Sequence, residues 1–112
     1  MVKKGKLLKV YMNEALTYHG GAKKRFLAEN LYHAIIKKLR DSDISGATVV
    51  RGIEGYGGEG FRSASAVDLS FDLPVIIEVV DTAEKIDAIL PEIRSMVNKG
   101  VVMTMDVDIH EV

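Results

Sequence analysis

The sequence of 112 residues has no cysteine, only two prolines and almost no net charge. The absence of cysteine excludes a disulfide-stabilised scaffold, a zinc site built on thiolates and a cysteine nucleophile. A formal net charge of −1 provides no strong field for nucleic acid, so we expect no nucleic-acid partner. No segment approaches the roughly 18 apolar residues of a membrane-spanning helix, and the N-terminal residues lack the apolar stretch of a signal peptide. These features together predict a cytoplasmic protein.

The residues that are present are typical of one globular domain. Hydrophobic residues make up 47% of the chain and charged residues 28%. The length suffices for one compact domain and is too short for two ordinary ones, so we expect a single domain over residues 1–112.

Glycine is concentrated in one segment, directly after an apolar run that ends at Val50. The clustered glycines are Gly52, Gly55, Gly57, Gly58 and Gly60. Glycine lets a ligand approach backbone amides closely, and successive amides can bind an anion. The segment 55–60 matches G-x-G-x-x-G, but no helical apolar stripe follows it, which argues against a dinucleotide fold. We predict a mobile loop, a phosphate cradle or both, with a hairpin loop that binds no ligand as the alternative.

Hydrophobic periodicity predicts four strands and two helices. The predicted strands are Leu7–Met12, Ala47–Ile53, Leu73–Val80 and Val101 to about Ile109, and the predicted helices run from about Ala22 to Arg40 and from Thr82 to about Val97. Thr82 is the expected N-cap of the second helix. Pro91 lies inside that helix and predicts a kink or two short helices. Lys3, Lys4 and Lys6 are expected to form a disordered arm.

The order βαββαβ predicts an α+β fold of the ferredoxin-like type, a four-stranded antiparallel sheet with two helices on one face. The third strand is apolar on both faces, with Val75, Ile77 and Val79 on one side and Ile76 and Val80 on the other. Since helices cover only one face, a second copy of the sheet is the simplest cover for the other.

Two runs of sequence carry a family resemblance. They are Thr48-Val-Val-Arg-Gly-Ile-Glu-Gly-Tyr-Gly57 and Asp72-Leu-Pro-Val-Ile-Ile-Glu-Val-Val-Asp81. The chain resembles the PII-like signalling proteins, and more closely their branch called domain of unknown function 190. That branch shows Tyr/Arg-Gly-x-x-Gly-Phe/Tyr-Gly at a strand end, and later Ser-x-Asp-Leu-Pro-x-x-x-Glu-x-Val-Asp. The likeness extends from Leu7 to about Val107.

The resemblance implies a PII-like homotrimer that binds adenine nucleotides in three clefts between subunits. A long loop between the second and third strands, the T-loop, would occupy residues 55–70 and signal to a target protein, often a membrane transporter or an enzyme. Phosphate is expected near the amides of Gly55–Gly57, with Arg51, Arg62 or Lys99 as cationic partners. The full set of expected nucleotide-binding residues is Thr48, Arg51, Gly55, Tyr56, Gly57, Arg62, Lys99 and Gly100.

The sequence departs from the PII pattern in two places. Only Lys99 and Gly100 remain of the glycine-and-lysine loop that precedes the last strand in PII proteins, and the sequence stops at Val112 without the arginines that they carry. Fewer cations favour AMP or ADP over ATP as the ligand. We expect no required cofactor.

Other interpretations remain open. A protein-interaction module without a ligand is one alternative, and an enzyme on the same fold is a weaker one, because no acid–base or nucleophile constellation is evident. Asp106, Asp108 and His110 alternate along the last strand and could bind a divalent metal, but the pattern favours a solvated strand face or a polar cluster at a trimer interface. We assign no catalytic or metal-binding residue.

Overall fold

The computed structural model describes residues 1–20, 29–58, 60–65 and 72–112. Its elements, in chain order, are β1 (Val2–Asn13), β2 (Thr17–Tyr18), β3 (Glu29–Asn30), α1 (Leu31–Asp41), β4 (Ala47–Arg51), β5 (Glu54–Gly57), β6 (Gly60–Ser63), β7 (Pro74–Thr82), α2 (Ala83–Met96) and β8 (Val101–His110).

The main sheet has four antiparallel strands in the order β4-β7-β1-β8. Strand β1 is central and pairs with β7 from Gly5 to Asn13 and with β8 from Val2 to Tyr11. The helices connect β1 to β4 and β7 to β8. This order confirms the predicted α+β, ferredoxin-like architecture. Neither helix in the described part of the chain is long and apolar enough to cross a membrane.

Both helices pack on the same face of the sheet. Every second residue of β1 and β7 points into this core, where Leu8, Val10 and Ile77 are fully buried. The helices supply an apolar stripe at helical spacing, and its buried members are Leu31, Ile35, Leu39, Ile86, Ile89 and Ile93. Alternate residues of the strands and residues three or four apart on the helices thus pack together in one apolar layer.

The opposite side of the sheet, the helix-free face, carries apolar side chains without a helix over them. The strand register places on it Leu7, Tyr11, Val50, Ile76, Val80, Met103 and Met105. Val50, Val80 and Met105 are 43%, 44% and 48% exposed. At the centre, Lys9 Nζ lies 3.2 Å from Glu78 Oε2, so Glu78 is ion-paired on this face.

Several predicted boundaries need correction. The lysines expected in a disordered arm lie in β1 and pair with β8; Lys4 Nζ also contacts Asp108 Oδ1 at 2.7 Å. The first helix begins at Leu31, not near Ala22. The residues just before it form β3, and Leu31 N donates to the carbonyl of Leu16 at 2.8 Å. Residues 22–28 lie outside the described residues. Long-range pairing therefore decided both boundaries.

The second helix begins as predicted, since Thr82 accepts a hydrogen bond from the backbone N–H of Lys85 at 3.3 Å. The alternative of two short helices is wrong, because Ala83–Met96 is one continuous helix that includes Pro91.

The residues considered for a metal site share one side of β8, where Asp106, Asp108 and His110 lie opposite Lys6, Lys4 and Val2. Among the residues that the structure describes, no cluster of three or more His, Cys, Asp or Glu side chains could hold a metal.

A buried aspartate links the two strands that carry the family motifs. The carboxylate of Asp81 accepts hydrogen bonds from Ser45 N at 2.9 Å, Ser45 Oγ at 3.0 Å and Thr82 N at 2.7 Å. Burial alone raises the pKa of Asp81, but these hydrogen bonds outweigh it, so the pKa lies below its ordinary value. The ionised form is thus favoured by the fold.

We expect Asp81→Asn to lower the free energy of unfolding by about 1–3 kcal/mol at neutral pH, because an amide cannot accept all three bonds. The depressed pKa gives the sign of the pH dependence: the contribution is complete well above about pH 4 and is lost as pH falls through the folded-state pKa. Urea titrations at pH 7 and pH 3 should show the difference between wild type and variant shrinking at the lower pH. Asp41→Asn, on an exposed side chain, is the control, and an equal effect of the two variants would contradict this role.

Candidate functional site

The glycine segment folds as a short β-hairpin at one end of the sheet. Strands β5 and β6 pair antiparallel, with Tyr56 opposite Phe61 and Gly57 opposite Gly60. Gly52 N donates to the carbonyl of Pro74 at 2.7 Å, which joins the start of this hairpin to β7. Gly60 has a φ of 94°, a conformation that favours glycine. The described part of the segment is therefore a folded β-ribbon. Residues 59 and 66–70 of the predicted 55–70 loop lie outside the described residues.

The C-terminal end of α2 approaches the hairpin from the other side of β1. Gly100 has a φ of 139°, and a Cβ atom built on it would lie 2.3 Å from the carbonyl oxygen of Tyr11. Only glycine fits such a close approach of two backbones. Gly100 thereby places Lys99 at the same end of the sheet as the glycine hairpin.

A cavity of about 760 Å³ lies between these elements. Its walls come from the glycine segment at 52–58, from the adjoining ends of β1 and β7, and from the connection at 99–101. Met12, Val75, Ile76 and Val101 supply apolar surface. The size and the apolar walls suit an organic ligand.

The cavity has few ionisable side chains, and two of them have opposite charge. Glu54 and Lys99 both line it. Ser63, which is buried, donates from its hydroxyl to Glu54 Oε1 at 3.2 Å and lies 2.8 Å from Ser65 Oγ. This hydrogen bond holds the Glu54 carboxylate at the open end of the hairpin, beside the cavity.

The structure brings together most of the predicted nucleotide-binding residues. Gly55, Tyr56, Gly57, Lys99 and Gly100 all line the cavity. Their spatial meeting could not be inferred from their separation in the sequence. Whether they bind a nucleotide stays a prediction.

The other three predicted residues lie elsewhere. Thr48 lines a shallower depression with Leu7 and Glu78. Arg51 is paired with Glu14, and Arg62 Nε donates to Asp72 Oδ2 at 2.8 Å. Neither arginine lines the cavity. No pattern in the sequence pointed to Glu14, because its partners are distant along the chain, whereas Asp72 belongs to the second family motif.

The hairpin carries exposed apolar side chains. Tyr56 is 89% exposed, and Phe61, its cross-strand neighbour, is 52% exposed. Ile53 precedes them and is also exposed. Exposed aromatic and aliphatic side chains grouped on one ribbon are typical of a protein-interaction surface.

Comparison with known proteins gives the family and supports the fold. Residues 5–109 match the family model DUF190, Uncharacterized ACR. A UPF0166 protein of Methanocaldococcus jannaschii is 38% identical over 109 residues, which span 96% of this chain and 94% of the relative. A UPF0166 protein of Aquifex aeolicus is 31% identical over 109 residues, spanning 96% of this chain and 95% of that relative.

Solved structures of similar fold are PII-like. One is CPII, a nitrogen regulatory PII-like protein from Thiomonas intermedia K12 bound to ADP, AMP and bicarbonate. Its TM-score with this chain is 0.62 and its sequence identity is 17%, and the match covers 97% of this chain and 91% of that chain. A second structure of CPII with the same ligands has a TM-score of 0.60 and 16% identity, over 98% of this chain and 99% of that chain. At this identity the likeness bears on the fold alone, and it confirms the PII-like, ferredoxin-like fold.

The close approach at Gly100 can be tested by substitution. Gly100→Ala should lower the free energy of unfolding by about 2 kcal/mol or more, because its φ is unfavourable for alanine and the added Cβ would overlap the Tyr11 carbonyl. Gly57→Ala is the matched control, since no described heavy atom lies within 4 Å of its added Cβ, and its effect should stay near 0.5 kcal/mol. Guanidinium denaturation measures both. Equal effects would show that the Gly100 approach does not constrain the fold.

Proposed function

Because this chain belongs to the DUF190 family and has a PII-like fold, we propose that it is a trimeric regulatory protein that senses AMP or ADP and signals through the glycine hairpin. The cavity between the hairpin and the Lys99–Gly100 connection is the observation that carries this proposal. CPII, which shares the fold, is bound to ADP, AMP and bicarbonate.

The chemistry of the walls suits a nucleoside with few phosphates. The apolar ends of β1 and β7 provide a surface for a purine, and the glycine amides can donate to phosphate oxygens. Lys99 adds one positive charge and Glu54 one negative charge. Each further phosphate adds negative charge without a further lysine or arginine among the lining residues, which favours AMP and ADP over ATP.

The helix-free face supports assembly. Its apolar side chains surround the Lys9–Glu78 ion pair and lie beside the cavity, since Tyr11 and Ile76 belong to both. A second and third copy packed on this face would remove the apolar side chains from water and would place neighbouring subunits at the mouth of the cavity. The proposed clefts between subunits follow from this arrangement.

A second function, a protein-interaction module without a ligand, is favoured by one observation. Ile53, Tyr56 and Phe61 are exposed on the hairpin and could bind a target directly. The two functions differ in a single respect, which is whether the cavity must be occupied for the hairpin to act.

We expect AMP and ADP to raise the melting temperature of the protein and to titrate calorimetrically, with ATP weaker. Ligand at about 100-fold above its Kd stabilises a protein by about 2.7 kcal/mol. Glu54→Gln should improve ATP binding relative to AMP by up to about fivefold, because it removes one negative charge from the cavity wall. Glu84→Gln, on the exposed first turn of α2, is the control. If AMP, ADP and ATP all fail to bind at millimolar concentration, the interaction module takes first place.

We expect sedimentation to give three times the chain mass of 12.3 kDa. Ile76→Asp should dissociate the assembly, because a charge buried without a partner costs several kcal/mol. Ile53→Asp makes the same chemical change on the exposed hairpin, away from the helix-free face, and should leave the mass unchanged. A wild-type protein that stays monomeric at micromolar concentration would overturn the trimer.

A further inference from the structure

Two carboxylates lie side by side at the end of the sheet nearest the hairpin. Glu14 directly follows β1 and Asp72 shortly precedes β7. The antiparallel register pairs Asn13 with Pro74, and it continues as Glu14 N donates to the carbonyl of Leu73 at 2.8 Å. Neither carboxylate lines the cavity.

Each carboxylate divides its two oxygens between a backbone N–H at the end of the sheet and an arginine that flanks the glycine segment. Asp72 Oδ1 accepts from the backbone N–H of Ala15 at 2.9 Å, while Oδ2 accepts from Arg62 Nε at 2.8 Å. Glu14 Oε1 lies 3.4 Å from the backbone N of Leu73, while Oε2 accepts from Arg51. One oxygen of each group is thus fixed by the framework and the other holds an arginine.

The two arginines flank the glycine segment. Arg51 is the last residue of β4, just before the hairpin, and Arg62 lies in β6, its returning strand. The intervening glycines have no side chains with which to hold the ribbon in place. The ion pairs at its two ends are therefore well placed to set its orientation over the cavity.

Exchange of an arginine from its carboxylate to a bound phosphate would be unfavourable. The side chain of Glu14 is only 11% exposed although that of Arg51 is 59% exposed, and those of Arg62 and Asp72 are 21% and 25% exposed. Withdrawing either arginine would therefore leave a mostly buried carboxylate without its charged partner.

We propose that Glu14 and Asp72 are positioning residues that fix the glycine hairpin over the cavity through Arg51 and Arg62, so that these arginines serve the hairpin and not the ligand. This positioning role does not depend on which ligand the cavity binds. The effect on affinity, in contrast, rests on the proposed nucleotide-sensing function.

Amide hydrogen exchange of the ligand-free protein tests the positioning role. Asp72→Asn should speed exchange of the paired amides in β5 and β6 by about tenfold or more, relative to amides in the centre of β1 and β7. Arg62→Gln, a change on the hairpin itself, should have the same effect, and the double variant should add little, because both remove one interaction. Asp87→Asn breaks an exposed ion pair with Lys6 on the helix side and should leave the hairpin unchanged. Unchanged hairpin exchange in Asp72→Asn and Arg62→Gln would overturn the proposal.

Titration with ADP distinguishes two roles of Arg62, because the two roles predict opposite changes in the affinity of the Asp72→Asn variant for ADP. If Arg62 positions the hairpin, Asp72→Asn should weaken ADP binding several-fold; if Arg62 binds phosphate, freeing it from Asp72 should tighten ADP binding, and the proposal is wrong. A wild-type protein that binds no nucleotide would remove the proposed function, while hydrogen exchange would still decide whether these carboxylates hold the hairpin.

Discussion

The double pairing of β1 is the constraint on which the rest of the structure depends. Because β1 pairs along both edges, its alternate side chains must divide between the helix-covered core and the helix-free face. Its end also fixes the site, since Tyr11 meets Gly100, and Asn13 leads directly into Glu14. A slip of one residue in this register would exchange the two faces and separate the components of the cavity.

Most of the charge around the glycine segment is engaged in ion pairs within the protein. Both arginines that flank the glycine segment are engaged by carboxylates from the sheet, and the cavity itself carries Glu54 as well as Lys99. The near balance of charge on the cavity walls is the reason that the proposed ligand is a nucleotide with few phosphates. The same ion pairs tie the residues that flank the glycine segment to the end of the sheet.

Much of the fold could be predicted, because local periodicity survives in the final structure. The alternation in β1 and β7 and the stripe of α2, with its Thr82 cap, all lie where the pattern indicated. The errors at the start of β1 and of α1 share one cause, which is pairing with strands elsewhere in the chain. The lysines of β1 are ordered by β8, and α1 starts late because Glu29–Asn30 pair with Thr17–Tyr18.

The sequence by itself determined the order of elements, the glycine segment and the family motifs, because these depend on spacing and residue type within short windows. Only the tertiary structure decided that Lys99 and Gly100 lie beside Gly55–Gly57, and that Arg51 and Arg62 are held by Glu14 and Asp72. Such contacts arise from sheet register and from the approach of backbones across the fold. The distance between two side chains in space is not encoded in their separation along the chain.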